Sequence, residues 1–187
     1  MARIPYAGES KDPEMLALAG QIAAERGGRV PTLYQMLLNS PPVARGWLSL
    51  LTAIQQQCQL KGRYREMVIV RVAVVNGASV EHKGHVPHAL KAGMTEAEVE
   101  ALSDWEDSVL FDAVDRAVLA YTDAMTREIH VPDAVFAAVR MHFDDRRLAE
   151  LTATIASYNM VSRFLVALQV DNNTIPFDFS LPRKQGV

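Results

Sequence analysis

The chain has 187 residues, of which 49% are hydrophobic, and this is enough for one domain with a substantial core. A formal net charge of -3 and a pI near 5.9 give no electrostatic basis for binding nucleic acid or an anionic membrane surface, so neither partner is expected. The single cysteine, Cys58, excludes an internal disulfide and favours a reducing compartment, so we expect a cytoplasmic protein.

The first third of the chain predicts three helices. Residues 1–11 are polar and contain a proline, without the apolar region of a secretory signal. Asp12-Pro13-Glu14 is typical of a helix start and Gly27-Gly28 of a helix end, so the first helix is expected over 12–26. Two more helices are predicted from apolar residues at helical spacing, with Leu33, Met36 and Leu37 in one and Trp47, Leu48, Leu51 and Ile54 in the other.

The second half of the chain also contains clear helix starts. The stretch Thr95-Glu96-Ala97-Glu98 forms a capping box, in which the threonine oxygen and a glutamate carboxylate satisfy free backbone donors. Asp112 and Pro132 are expected to open further helices. A long run over 145–170 has its apolar residues on one side, as in a helix that packs against a core.

Residues 67–75 are the exception, because they are rich in β-branched residues and propensity alone favours a buried strand. As a helix, this segment would be apolar nearly all round and would have to lie in the core. Arg71 would then need a charged partner or a subunit interface. The segment is much shorter than the roughly 20 residues that cross a bilayer, so no membrane span is expected.

The pattern predicts a single domain. We find no tandem repeat, low-complexity block or long linker, so one domain is expected over 1–187. Its last part, 171–187, is expected to form a C-terminal arm. The fold class that these elements indicate is all-α, with about eight helices.

Several stretches together are similar to a known family: Arg65-Glu66, Arg71-Val72-Ala73, Asn76-Gly77 and His85-Val86-Pro87. In this order they resemble the core helix pair of the carboxymuconolactone decarboxylase-like family, which includes the AhpD-type alkylhydroperoxidases. Residues 3–6, 28–34 and 158–161 resemble longer members of that family, so the likeness extends over almost the whole chain. The resemblance implies an AhpD-like helical bundle with a central core helix pair.

The resemblance also shows what this chain lacks. In the peroxidase branch a glutamate on the first core helix is followed by a Cys-x-x-Cys pair and a histidine on the next. Glu66 and His85 match the glutamate and the histidine, whereas the cysteine positions are occupied by Ala78 and Glu81. A thiol peroxidase needs a thiolate nucleophile, and the remaining Cys58 lies before the motif among glutamines, as a packed small residue would.

The residues that remain are suited to proton transfer. Glu81 and His85 are four residues apart, so they share one face of a helix. Decarboxylation of a carboxymuconolactone-type acid gives an enolate that must be protonated on carbon, and a histidine oriented by a carboxylate is an acid of the right strength. We therefore predict His85 as the acid, with Glu66 or Glu81 as its partner.

Substrate-binding candidates come from the same segment. Arg71 or Lys83 could hold a substrate carboxylate, although either is equally well explained as a helix-surface charge. His82, one turn before His85, is a third candidate.

Structural roles explain the same residues in other ways. Glu66 near a helix start could offset the helix dipole or pair with Arg63 or Arg65. His85 could be a core histidine, and Tyr158-Asn159 is expected to make helix-packing hydrogen bonds. His82-x-x-His85 with Glu81 has a spacing that could ligate a metal, but no distant ligand completes the set, so neither a metal nor another cofactor is expected.

Three functions remain open at this point. The first is a cofactor-free decarboxylase, or a related lyase or isomerase, acting on a small carboxylic or lactone substrate. The second is an AhpD-like peroxidase with an unconventional centre, which the missing cysteines disfavour. The third is a noncatalytic binding or assembly protein on the same scaffold.

A homo-oligomer is expected as well. The resemblance implies a dimer, trimer or hexamer assembled through the family's helices. The apolar segment 67–75 and the tail residues Phe177 and Phe179 are consistent with buried interfaces, although a monomer's core would explain the first equally well.

Overall fold

The structure is a computed structural model that describes residues 1–8 and 12–171. Over these ranges the chain forms nine α-helices and no strand, which confirms the all-α prediction with one helix more than the approximate number expected. The predicted arm over 171–187, with Phe177 and Phe179, lies outside the described residues except for Asp171. The helices are α1 (Pro13–Glu25), α2 (Thr32–Leu37), α3 (Pro41–Thr52), α4 (Gly62–Val75), α5 (Ser79–Lys91), α6 (Glu96–Ala101), α7 (Ala113–Arg127), α8 (Asp133–Arg140) and α9 (Asp145–Leu168).

The residues group into two compact units, and the boundary between them falls inside a π-helical turn, Ala53–Gln57. The first unit comprises Met1–Gln55 and the described residues from Leu168 onward. Within it, α1 and α2 both pack against α3. A single domain over the whole chain stays a prediction.

The second unit, Gln56–Ala167, is organised around α4. This helix packs against α5 on one side and α7 on another, while α6 packs on α5 and α8 on α7. Its residues Met67, Val68, Ile69 and Val70 are all 0% exposed. Burial on every side therefore outweighs the strand propensity of this segment, and the expected core helix is confirmed.

A short turn joins α4 to α5 and determines which of their side chains meet. Asn76 ends α4, Gly77 follows with a φ of 64°, and Ala78 precedes α5. A glycine suits this left-handed conformation because it has no Cβ to clash. Since the turn is so short, residues at similar distances before and after it lie side by side on the two helices, and Glu66 and His85 are such a pair.

The helix starts follow the capping signals in the sequence. The side chain of Asp12 accepts a hydrogen bond from the backbone N–H of Glu14 at 3.0 Å. Thr95 and Glu98 form the predicted capping box at the start of α6. Asp112 caps α7. These side chains satisfy backbone donors that the first turn of a helix leaves free.

Among the described helices, α9 is the one that is long and apolar enough to cross a membrane by length and composition. Half of its most apolar 18-residue window is buried inside the protein. Leu151 and Ile155 are 0% exposed, as in the core helix of a globular unit. Burial within the protein thus accounts for the apolar composition of α9.

Candidate functional site

Glu66 is a buried carboxylate on α4 with two partners. It is 2% exposed in a helix whose other buried residues are mostly apolar. Its Oε2 lies 2.8 Å from Nδ1 of His85 on α5, and its Oε1 accepts a hydrogen bond from Nε of Arg65 at 3.1 Å. Both carboxylate oxygens are therefore paired, as a charge away from water requires.

His85 lies between two carboxylates. Its Nε2 is 3.4 Å from Oε2 of Glu81, one turn earlier on α5. Its ring also meets the ring of Tyr158 on α9 edge-to-face, with centroids 5.2 Å apart and planes at 86°. Residues of α4, α5 and α9 thus hold this imidazole in place. Nδ1 faces the almost fully buried Glu66, and Nε2 faces Glu81, which is slightly more exposed.

These neighbours shift the pKa values of all three groups. Burial raises the pKa of the Glu81 carboxyl. Burial also acts to raise the pKa of Glu66, but the hydrogen bond and charge of His85, together with Arg65, outweigh it and lower that pKa. For His85 burial acts to lower the pKa, but the hydrogen bond that its Nδ1 donates to Glu66 and the charges of both glutamates outweigh burial, so this pKa is raised.

The protonation pattern follows from these shifts. Because Glu66 is ionised, it accepts, and the Nδ1 of His85 carries the donated proton. Nε2, with its looser contact to Glu81, is the nitrogen left to exchange a proton with a bound molecule. The side chains of His85 and Glu81 are 14% and 11% exposed, whereas that of Glu66 is 3% exposed, so His85 and Glu81 are the more accessible members of a largely buried cluster.

Arg71, predicted as a substrate-binding residue, is committed to protein partners instead. Its Nε and one terminal nitrogen donate to the two carboxylate oxygens of Asp123 on α7, at 2.7 and 2.5 Å. Its other terminal nitrogen donates to the carbonyls of Leu102 and Ser103. Four of its five N–H groups are therefore occupied by protein acceptors, and these contacts face away from the Glu66–His85 pair. The partner that a buried Arg71 was expected to need is therefore the carboxylate of Asp123 in the same chain.

The other predicted binding residues on α5 are not part of the cluster around His85. Lys83 is exposed. His82 is half-buried and lines a cavity next to α6, whereas His85 faces Glu66 on α4. The two histidines therefore do not converge, and within residues 1–8 and 12–171 no group of three or more His, Cys, Asp or Glu side chains is arranged to hold a metal ion.

Cys58 lacks the properties of a redox thiol. It is half-buried in the segment before α4, and burial, followed by the charge of Glu150, raises its pKa. A reactive cysteine needs the opposite shift, because the thiolate is the nucleophile. At the two cysteine positions of the peroxidase pattern, Ala78 is a buried residue ahead of α5 and Glu81 contacts His85.

Two further residues near the site have structural roles that the sequence only partly indicates. Asn159 donates to Thr126 on α7 and accepts from Asn76 at the end of α4, which confirms the expected helix-packing hydrogen bonds. The edge-to-face contact of Tyr158 with His85 is not predicted by any pattern in the sequence, because it joins residues on helices far apart in the chain.

Two cavities in the second unit lie outside the Glu66–His85–Glu81 cluster. One, of about 330 Å³, is lined by residues of α5 and α6 and by Val74. The other, of about 580 Å³, is lined by residues around Arg71 and Asp123 on α4, α7 and α8. None of the three clustered residues lines either cavity.

Comparison with known protein families gives a match in the middle of the chain. Residues 41–124 match the family model of the carboxymuconolactone decarboxylase family. This range contains α4, α5 and the Glu66–His85 pair. These residues therefore match the family that the sequence was found to resemble, and that recognition is confirmed.

Two curated relatives are similar over part of their length. The chain is 26% identical to the uncharacterized protein YdfG of Bacillus subtilis over 115 residues, which cover 60% of this chain and 78% of that protein. It is 37% identical to the uncharacterized protein YnjA of Escherichia coli over 71 residues, which cover 37% of this chain and 39% of that protein.

Solved structures share the fold at lower identity. An uncharacterized peroxidase-related protein from Silicibacter sp. TM1040 aligns with a TM-score of 0.79 and 19% identity over 92% of each chain. A peroxidase-related protein with an alkylhydroperoxidase AhpD core, from Ralstonia eutropha JMP134, has a TM-score of 0.77 and 18% identity over 92% of each chain. The debrominase Bmp8, as a cysteine-to-alanine variant with 2,3,4-tribromopyrrole, has a TM-score of 0.75 and 15% identity over 92% of this chain and 94% of its own. The fold is therefore AhpD-like.

Proposed function

We propose that this chain catalyses proton transfer in the decarboxylation or isomerisation of a small carboxylic or lactone substrate, with His85 as the general acid. The observation that carries the proposal is the position of His85 between two carboxylates. Glu66 holds Nδ1 at 2.8 Å, while Nε2 stays on the more exposed side, 3.4 Å from Glu81.

The chemistry follows from this arrangement. In a decarboxylation the bond between the carboxylate and its carbon breaks, carbon dioxide leaves, and the electron pair moves into a conjugated carbonyl. The resulting enolate takes a proton on carbon from Nε2 of His85. Glu66 stabilises the protonated imidazole before this transfer. Afterwards the neutral imidazole regains its Nε2 proton from solvent, and Glu81, 3.4 Å from Nε2, lies close enough to relay it. The histidine supplies the proton and the carbonyl accepts the electrons, so this route needs no cofactor.

The substrate carboxylate needs a cation. Of the two predicted candidates, Arg71 is bound to Asp123 and to backbone carbonyls, whereas Lys83 has an exposed charge but lies two residues from His85 and so on a different face of α5. If Lys83 holds the carboxylate, Lys83→Ala raises KM and leaves the folded state unchanged, because an exposed lysine contributes little to stability.

The experiment is a substrate screen with small lactone acids, in which carbon dioxide release and peroxide consumption are followed in parallel. Wild type is expected to release carbon dioxide, and His85→Ala to lose about 10²–10⁴-fold in rate, the usual contribution of a general acid. His130→Ala is the control, since His130 is an exposed histidine between α7 and α8, away from α5. Its rate should stay near wild type.

Other outcomes favour the alternatives. Peroxide consumption that is lost in Cys58→Ser would support the AhpD-like peroxidase, for which the raised pKa of Cys58 and the residues Ala78 and Glu81 give no support. If folded protein carries out neither reaction, the noncatalytic binding or assembly protein becomes the better hypothesis. Activity in His85→Ala equal to wild type would contradict the assignment of His85.

We extend the proposal to the assembly and location of the protein. A homo-oligomer, as a dimer, trimer or hexamer, and a cytoplasmic location are expected from the family resemblance and the cysteine content. Light scattering on the purified chain measures the first directly. A single monomeric species at micromolar concentration would contradict it.

A further inference from the structure

The cavity of about 330 Å³ beside α5 has an apolar lining and a size within the range of small-ligand sites, about 300–1,000 Å³. Val74, Val86, Leu90 and Val99 supply its apolar surface. Val99 is buried and the other three are half-buried, so these side chains leave apolar surface open to the cavity. Covering this surface with a hydrocarbon group would remove it from water.

The charged groups at this cavity are of one sign. Glu96 and Glu100 on α6 line it, and both are exposed. They are four residues apart, so they lie on the same face of the helix and repel each other. No lysine or arginine lines the cavity.

Glu98, the third glutamate of α6, has a charged partner, which Glu96 and Glu100 lack in the part of the chain that the structure describes. Glu98 pairs with Arg63 at 2.7 Å, and its pKa is lowered to about 2 by that partner. Among the described residues, neither Glu96 nor Glu100 has a side-chain hydrogen bond or ion pair. Two carboxylates beside an apolar cavity are therefore available to a cation.

The geometry points to a binding site for a small organic cation, a primary or secondary ammonium group on a short hydrocarbon body. The hydrocarbon would lie against Val86, Leu90 and Val99, and the ammonium would face Glu96 and Glu100. His82, half-buried at the same cavity, offers a hydrogen-bond partner. The site differs from the Glu66–His85–Glu81 cluster, so this inference does not depend on the function proposed above.

The test uses hexylammonium, with hexanoate and hexanol as ligands of equal chain length. Calorimetry on wild type should show that hexylammonium binds at millimolar or lower concentration, that hexanol binds more weakly, and that hexanoate does not bind. Methyl NMR signals of Val86, Leu90 and Val99 should move on addition of hexylammonium. The affinity should fall with added salt, because exposed charges are screened.

Substitutions then test whether hexylammonium binding depends on the charge of the two glutamates or only on the shape of the cavity. Glu96→Gln/Glu100→Gln should weaken hexylammonium binding at least about fivefold, consistent with two exposed charge pairs, and leave hexanol binding unchanged. Glu106→Gln, at an exposed glutamate outside this cavity, is the matched control and should bind as wild type does. Hexanoate binding as tight as hexylammonium binding would overturn the proposal, as would full affinity in the double variant or no binding at millimolar concentration.

Discussion

The two buried charged residues of α4, Arg71 and Glu66, have partners of different kinds. Arg71 is bound to both carboxylate oxygens of Asp123 and to two backbone carbonyls, so its donors point at fixed acceptors. Glu66 is bound to His85, a side chain that can itself take up and release a proton, and Nε2 of that histidine has only a looser contact with Glu81. The same helix therefore carries one charge suited to holding helices together and one suited to chemistry.

Breaking the Arg71 pair should have the largest effect on stability. Arg71→Met leaves the carboxylate of Asp123, 15% exposed, without its main partner and should cost about 3–5 kcal/mol. Urea unfolding followed by circular dichroism measures the loss. A loss below about 1 kcal/mol would show that Arg71 is not the structural charge described here.

A double variant sharpens this result. Arg71→Met/Asp123→Leu removes both charges, so no unpaired ion stays behind and more than half of the lost stability should return. Equal instability of the single and double variants would place the cost in the lost bonds to Leu102 and Ser103 instead.

The sequence predicts these two sides of α4 unequally. The match of Glu66 and His85 to a family pattern pointed to two residues that the structure joins at 2.8 Å, while the sequence left Glu66 and Glu81 both open as the partner of His85. The need of a buried arginine for a partner was also foreseeable. Which residue would serve was not, because Asp123 is 52 residues away on α7 and nothing distinguishes it from other acidic residues before the helices pack.

The same limit applies to the rest of the molecule. Local signals predicted the starts of α1, α6 and α7, because caps depend on residues within one turn. Strand propensity in residues 67–75 was misleading, since tertiary burial decides the structure of a segment that is apolar on all sides. The position of Tyr158 against His85 depends on how α9 crosses α5, which no short-range pattern encodes.

The Glu66–His85 pair should give a smaller stability effect that depends on pH. The pKa of His85 is raised above 6.5, so its contribution is complete below pH 6.5 and is lost as the pH rises through the folded-state value. The pKa of Glu66 is lowered below 4.5, so its contribution is present above pH 4.5 and is lost as the pH falls through the folded-state value. Both contributions are therefore fully present between pH 4.5 and pH 6.5.

His85→Gln tests this window. Wild type should exceed the variant in stability by about 1.5–3 kcal/mol near pH 5.5, the range for hydrogen bonds to charged groups, and by less once the pH has risen through the folded-state pKa of His85. Unfolding by urea over a series of pH values measures the difference. His130→Gln, at an exposed histidine away from α5, is the control and should follow wild type. A difference that does not change with pH would mean that His85 acts by packing alone.

The smallest predicted effect is a change in the pKa of His85, and it distinguishes the roles of the two carboxylates next to the ring. Both substitutions, Glu66→Gln and Glu81→Gln, remove a negative charge next to the imidazole, so both should lower the pKa of His85 in an NMR titration. Glu66→Gln should lower it more, because Glu66 is hydrogen-bonded to Nδ1 at 2.8 Å while Glu81 lies 3.4 Å from Nε2. Glu106→Gln should leave it unchanged. A larger effect of Glu81 would mean that the solvent-side carboxylate holds the imidazole, and Nδ1 rather than Nε2 would then be the nitrogen able to deliver a proton to a substrate.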